Sequence, residues 1–166
     1  MKDIKTVDFS KISFVLMDMD GVLSDGSLIY LPDGGIVKVF HAHDGYGIER
    51  GRQLGLLFGV ISGKTAIANK YRVERLKIEE FYESRSDKVE AFEEIKTKHK
   101  LREENFCFIG DDVFDMSLLN KVAFSCAPSN AIKEVKEAVH YVTETAGGKG
   151  AVREVIDFIL RKKKLI

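Results

Sequence analysis

The chain of 166 residues is long enough for one domain with a substantial core and too short for two of ordinary size. Lys plus Arg and Asp plus Glu each total 26, and this balance removes the electrostatic reason to expect nucleic acid or an anionic membrane as partner. No run approaches the roughly 20 apolar residues that cross a bilayer, and Met1 to Ser13 lacks the apolar stretch of a signal peptide, so the expected location is the cytoplasm.

Short apolar runs alternate with segments of helical periodicity, the pattern of an α/β fold with a mostly parallel sheet and helices on both faces. Residues 12–18 predict a buried first strand. Two β-type runs, 27–31 and 36–40, are joined by Pro32-Asp33-Gly34-Gly35, whose turn chemistry makes a small hairpin over 27–40. Asp44 reads as the cap of a helix reaching Leu54 and stopped by Gly55. Residues 56–61 predict a second buried strand, 65–76 a helix, Phe81-Tyr82 a short strand, and 86–99 a helix with Ser86 and Glu90 at its start. A third core strand, 106–110, leads to a short helix from Val113, a strand at 122–125, a helix from Asn130, a strand near Tyr141 and a last helix over 150–164. No repeat, low-complexity tract or linker interrupts the series, so residues 1–166 read as one domain closed by a glycine-rich segment and helix, 146–166. Cys107 and Cys126 sit in apolar runs without a CxxC and read as reduced core residues. The basic run Arg161 to Lys164 reads as a solvated helix end.

Four signals fall at the ends of predicted strands, where open α/β sheets place their ligands. In Asp18-Met19-Asp20-Gly21, two carboxylates two residues apart share one crevice, which costs energy unless a cation or proton intervenes. An N-cap and turn reading accounts for one aspartate but not the other. Ser62-Gly63-Lys64 offers a hydroxyl and a backbone turn, and Lys88 a cation; alone, each is common punctuation or a surface residue. Gly110-Asp111-Asp112-Val113-Phe114-Asp115 concentrates three carboxylates after a buried strand, hard oxygen ligands suited to Mg²⁺.

In this order the four motifs resemble the haloacid dehalogenase superfamily of phosphatases. The resemblance implies a Rossmann-like fold in which Asp18 takes the phosphoryl group as nucleophile. Asp20 then serves as general acid and base. Asp18, the Asp20 main-chain carbonyl and Asp111 would hold Mg²⁺. Ser62 would bind a phosphoryl oxygen, Lys88 would balance charge under the guidance of Asp115, and Asp112 would hold a metal-bound water or orient a ligand from behind. Such enzymes often carry a cap domain between these motifs. Only 41 residues separate Asp20 from Ser62 and 25 separate Ser62 from Lys88, so no cap domain is expected. A neighbouring subunit would then supply the missing wall.

Three stretches extend the resemblance to one capless group, the 3-deoxy-D-manno-octulosonate 8-phosphate phosphatases: Asp18 to Gly26, the hairpin into Phe40-His41-Ala42-His43-Asp44-Gly45-Tyr46-Gly47-Ile48, and Ala146 to Val155. It implies a sugar-acid phosphate as substrate, a role in lipopolysaccharide precursor synthesis, and a homotetramer in which hairpins associate and the glycine-rich segment approaches a neighbour's site. Gly63, Lys64, His43, Lys149 and Arg153 are then the substrate-binding candidates. His43 and Lys64 stand where that group tends to have Arg, and His43 reads equally as a hairpin-end residue. The sister 2-keto-3-deoxynononate 9-phosphate phosphatases tend to have Glu at the position of Lys64, so its cation leans toward the octulosonate substrate. The glycine-rich segment reads as a flexible flap with backbone donors for an anion. Truncation after Thr145 is therefore expected to harm turnover more than folding.

Two nucleotide-binding readings fail. A Walker loop needs glycine where Phe58 stands, and the glycines at 45, 47 and 51 miss the dinucleotide spacing by one residue. A non-catalytic protein retaining this fold remains the alternative from another class, and the intact set Asp18, Asp20, Ser62, Lys88 and Asp111 weighs against it.

Overall fold

The first strand of the core is buried along its whole length, as a central strand covered on both faces must be. The computed structural model describes residues 1–85 and 87–166, so the expected cap at Ser86 lies outside the described residues. In chain order the elements are β1 (Phe14–Met17), the hairpin strands β2 (Ile29–Tyr30) and β3 (Ile36–Val37), α1 (Ala42–Gln53), β4 (Leu57–Ile61) and α2 (Ile67–Leu76). They continue with β5 (Glu80–Tyr82), α3 (Lys88–His99), β6 (Phe106–Ile109), α4 (Met116–Leu119), β7 (Phe124–Ala127), α5 (Lys133–Ala138), β8 (Tyr141–Val142) and α6 (Ala151–Lys162).

Six strands form one sheet in the order β5-β4-β1-β6-β7-β8, every pairing parallel. Met17 at the end of β1 faces Val60 on one side and Ile109 on the other, so the loops after β1, β4 and β6 open at one edge. This is the parallel sheet that the alternating pattern implies and the Rossmann-like arrangement that the resemblance implies. Side chains leave a strand alternately to its two faces. Val15 and Met17 pack with Phe58, Val60, Ile48, Val73 and the α6 stripe Val152, Val155, Ile156, Ile159 and Leu160. Phe14 and Leu16 pack with Phe106, Phe108, Phe92, Ile95, Leu118 and Val135 on the opposite face. The hairpin stands apart as a two-stranded antiparallel ladder, with Ile29 opposite Val37 and Tyr30 opposite Ile36.

Sequence and structure part company where a cap comes from elsewhere in the chain. Asp44 lies inside the first turn of α1, which starts behind His41. Its buried carboxylate instead accepts the Arg153 N–H at 2.8 Å. It thus caps α6, whose own cap position is Gly150 and offers no side chain.

The glycine-rich segment is not a flexible flap. Gly147 N–H donates to Asn130 Oδ1 at 2.6 Å, Gly148 N–H to Val22 O at 2.9 Å and Lys149 N–H to Ala146 O at 3.1 Å. These donors are spent within the chain. A Cβ on Gly147 would strike the Gly21 carbonyl, and one on Gly148 the backbone of Ser24 and Asp25, so the segment is glycine because two backbones touch there. The two cysteines are free and buried as expected. Adjacent strands bring their Sγ atoms within 3.9 Å, and burial pushes the Cys126 thiol well above its ordinary range. Among the described residues no helix is long and apolar enough to cross a membrane.

The expectation that truncation after Thr145 harms turnover more than folding runs against the packing of α6. Removing residues 146–166 strips five large, fully buried side chains, Val152, Val155, Ile156, Ile159 and Leu160, from the core. At ~1.5–3 kcal/mol each, they rival the whole ~5–15 kcal/mol of a typical domain. The truncated chain is predicted to show no cooperative thermal transition by circular dichroism.

Candidate active site

Asp18 directly follows β1, and its N–H extends the ladder by donating to Ile109 O at 3.0 Å. The chain then makes one wide turn over Met19–Leu23, closed by the Ser24 N–H on Met19 O at 2.9 Å. Met19 N–H donates to Asp18 Oδ1 at 2.7 Å and holds the carboxylate toward the cleft. Gly21 has φ +82°, and a Cβ there would run into the Asp111 carboxylate, so glycine alone lets this turn lie across the end of β6.

Lys88 is buried although it sits in the first turn of a helix. Its Nζ lies 2.9 Å from Asp18 Oδ1 and 2.6 Å from Asp115 Oδ1, with the Phe108 ring beneath it at 5.7 Å. The other Asp115 oxygen accepts the Asp111 and Asp112 N–H groups at 2.8 and 3.3 Å. Asp115 thus steers both Lys88 and the loop that carries Asp111. Asp112 caps the following turn, accepting the Val113 N–H at 2.6 Å, and stands at the cleft wall.

These groups line a cleft of about 730 Å³, together with Asp20, Ser62, Gly63 and Lys64. Burial, opposed by Lys88 and reinforced by Asp115, raises the Asp18 pKa to about 6. Burial, with Asp18 and Asp115 nearby, raises that of Asp111 to about 7. Oxygens of Asp18, Asp111 and Asp115 lie within 4.8 Å of one another. Asp115 is committed to Lys88 and two amides, whereas among the described residues the buried Asp111 Oδ1 has no hydrogen-bond partner. Crowded carboxylates with a free buried oxygen fit a hard divalent cation held by Asp18 and Asp111.

Ser62 is buried at the end of β4, with its Oγ donating to Lys64 O at 2.9 Å. Three substrate-binding candidates lie outside this chain's cleft. The Arg153 guanidinium is spent on Asp157 at 2.7 Å and on the Tyr46 ring. His43 is exposed and edges against His41, with ring centroids 4.8 Å apart. Lys149 faces Asp25 at 3.7 Å.

Four cleft or near-cleft residues escaped the sequence reading. Lys38 meets the Asp20 carboxylate at 2.7 Å. Asn69 accepts from the same ammonium. Asn130 donates to Gly21 O at 3.2 Å while accepting from Gly147. Arg85 lines the cleft. In an extended Ile36 to Phe40 the period of two sets Lys38 on the face opposite Val37 and Val39, but nothing local says which face turns inward.

Residues 63–156 match the model of the haloacid dehalogenase-like hydrolases, and the chain belongs to that family. It is 38% identical to the 3-deoxy-D-manno-octulosonate 8-phosphate phosphatase of Escherichia coli over 150 residues, 90% of this chain and 79% of that enzyme. The phosphatase of the same name from Moraxella catarrhalis, solved with magnesium, phosphate and its sugar acid, superposes with a TM-score of 0.91 at 30% identity, covering 94% of this chain and 90% of that one. The cobalt-bound enzyme of Haemophilus influenzae gives 0.90 at 35% identity, covering 94% and 91%.

The raised acids make a pH prediction. Asp18 and Asp111 hold their protons more tightly folded than unfolded. The metal-free protein therefore loses stability as pH rises from about 4, the unfolded value, through the folded values. Melting curves should show a Tm falling over that range without metal. Added Mg²⁺ should raise Tm near pH 8 and do little near pH 5, with both effects blunted in Asp111→Asn.

Proposed function

We propose that the chain is a Mg²⁺-dependent phosphomonoester hydrolase that releases phosphate from 3-deoxy-D-manno-octulosonate 8-phosphate in lipopolysaccharide precursor synthesis, with residues 1–166 acting as one phosphatase unit. One observation carries the chemistry: a carboxylate at the end of the central strand, Asp18, lies 2.9 Å from a buried ammonium, Lys88, at the floor of an open cleft. The substrate rests on the relatives, which carry that activity in their names across most of this chain's length.

Asp18, the Asp20 main-chain carbonyl and Asp111 would hold Mg²⁺, which when bound supplies positive charge against the carboxylates and the phosphate oxygens. Lys88 offsets charge on Asp18 and on the incoming phosphoryl group, and Asp115 holds Lys88 in place. Asp18 attacks phosphorus while Asp20 protonates the departing alkoxide. Asp20 then takes the proton of the water that hydrolyses the aspartyl phosphate. Ser62 and the Gly63 backbone receive phosphoryl oxygens, and exposed Lys64 at the rim meets the sugar-acid carboxylate.

Among the described residues no cap domain covers the cleft, and the hairpin presents Ile29, Tyr30, Leu31, Val37 and Val39 to solvent. Their exposure supports an assembly of copies through the hairpins, which we take as the homotetramer that covers the site. In such an assembly His43, Lys149 and Arg153 would act on substrate across subunits. Two free, buried thiols support a cytoplasmic setting.

The test is phosphate release, with and without Mg²⁺, across sugar phosphates that include the octulosonate and the 2-keto-3-deoxynononate 9-phosphate. The expected result is metal-dependent preference for the octulosonate, and Asp18→Asn falling below about a thousandth of the wild-type rate. Preference for the nononate would transfer the assignment to the sister activity, and a chain inert to the whole panel would overturn it.

A further inference from the structure

We propose that Lys38 and Asn69 are positioning residues for Asp20, tying the general acid and base to the loop that receives phosphate; this rests on the hydrolase reading above. The Lys38 side chain is 1% exposed, yet it comes from the outlying hairpin. Its Nζ meets both oxygens of the Asp20 carboxylate, at 2.7 Å to Oδ1 and 2.9 Å to Oδ2, and donates to Asn69 Oδ1 at 2.9 Å. Asn69, buried in the first turn of α2, donates in turn to Lys64 O at 3.3 Å and to Glu83 Oε1 at 3.2 Å. A buried ammonium is expensive unless its donors are filled, and here two of the three are filled by Asp20 and Asn69. Ser24 Oγ completes the grip on Asp20 Oδ1 at 3.1 Å.

This network links the Asp20 carboxylate to a second element of the cleft wall. Asp20 sits on the turn after β1, with its side chain 26% exposed, and its backbone has the non-helical φ −83° and ψ 129°. Without an anchor the carboxylate has rotamers that leave the phosphorus. Lys38 fixes it from the hairpin side, and Asn69 references that lysine to the Ser62–Lys64 loop. The acid and the phosphate site are thereby held at one separation, the positional precision that general acid–base catalysis requires.

Lys38→Met keeps length and burial while removing the charge and the donors, and the two half-reactions separate its effects. With an alkyl phosphate, Asp18 forms the P–O bond as the ester P–O bond breaks, and the alkoxide needs the proton of Asp20. With p-nitrophenyl phosphate the phenolate leaves without a proton, and Asp20 is needed only afterward, to take a proton from the water that splits the aspartyl phosphate. In Mg²⁺-supplemented protein, Lys38→Met should therefore lower steady-state turnover of the alkyl ester by about 100-fold, with KM little changed. The same variant should keep the rate of the p-nitrophenol burst within about threefold and accumulate phosphorylated protein. Asn69→Leu should show the same pattern at smaller size, and decides the matter if Lys38→Met does not fold by circular dichroism. Equal losses on both esters, with a burst reduced only in amplitude, would mean lost folded protein and overturn the positioning role. So would an unchanged variant beside an active wild type. A wild type inert toward both esters overturns the hydrolase reading and this inference with it.

Discussion

The buried ammonium of Lys88, shared between Asp18 and Asp115, is the interaction on which the rest of the site depends. Four carboxylates, those of Asp18, Asp20, Asp111 and Asp115, meet at one end of the sheet, and the described residues bring two buried ammonium groups against them, Lys88 and Lys38. Among these six groups two formal negative charges remain. Burial makes that surplus costly, and the upward shifts of Asp18 and Asp111 express it as a preference for binding protons. A divalent cation relieves the same strain without protonating Asp18. The acidity of the site and its appetite for metal are one electrostatic fact.

Parallel pairing is what makes such crowding possible. β1 lies between β4 and β6 in register, so Asp18, Ser62 and Asp111, each one or two residues past a strand end, emerge side by side. The turn after β1 must then cross the end of β6, and Gly21 lets it do so against Asp111. From the other side it is pinned by Gly147 and Gly148, with Asn130 bridging the two segments. The glycine-rich stretch is therefore a buttress for the loop that carries Asp18, and Asp44 anchors that buttress by capping α6.

The fold class and the acidic motifs were legible because they are local: an apolar run ending in Asp-x-Asp-Gly or Gly-Asp-Asp states both a strand and what lies at its end. What escaped was set by distant chain. Asp44 has every local mark of a helix cap, yet its partner N–H lies 109 residues away. The glycines at 147 and 148 look flexible in sequence, and only the backbone of residues 21–25 shows why they must be glycine. Lys38 looks like a surface lysine of an edge hairpin, because no local rule says which face of that hairpin turns inward.

That last ambiguity has a physical resolution. A two-residue ladder is marginal in water by itself, so the hairpin's orientation must be set by what each face meets. On one face Lys38 reaches Asp20 and Asn69, a gain available only with the lysine inward. The same alternation turns Val37 and Val39 outward, where they remain 39% and 48% exposed. The charge that meets Asp20 and the exposed valines thus lie on opposite faces of one short stretch, β3 and the two residues after it. Under the proposed assembly, covering the valines would restrain the strand that carries Lys38. Closing the cleft and steadying Asp20 would then be a single structural event, which gives a physical reason for Lys38 to stand on the hairpin and not on the core sheet.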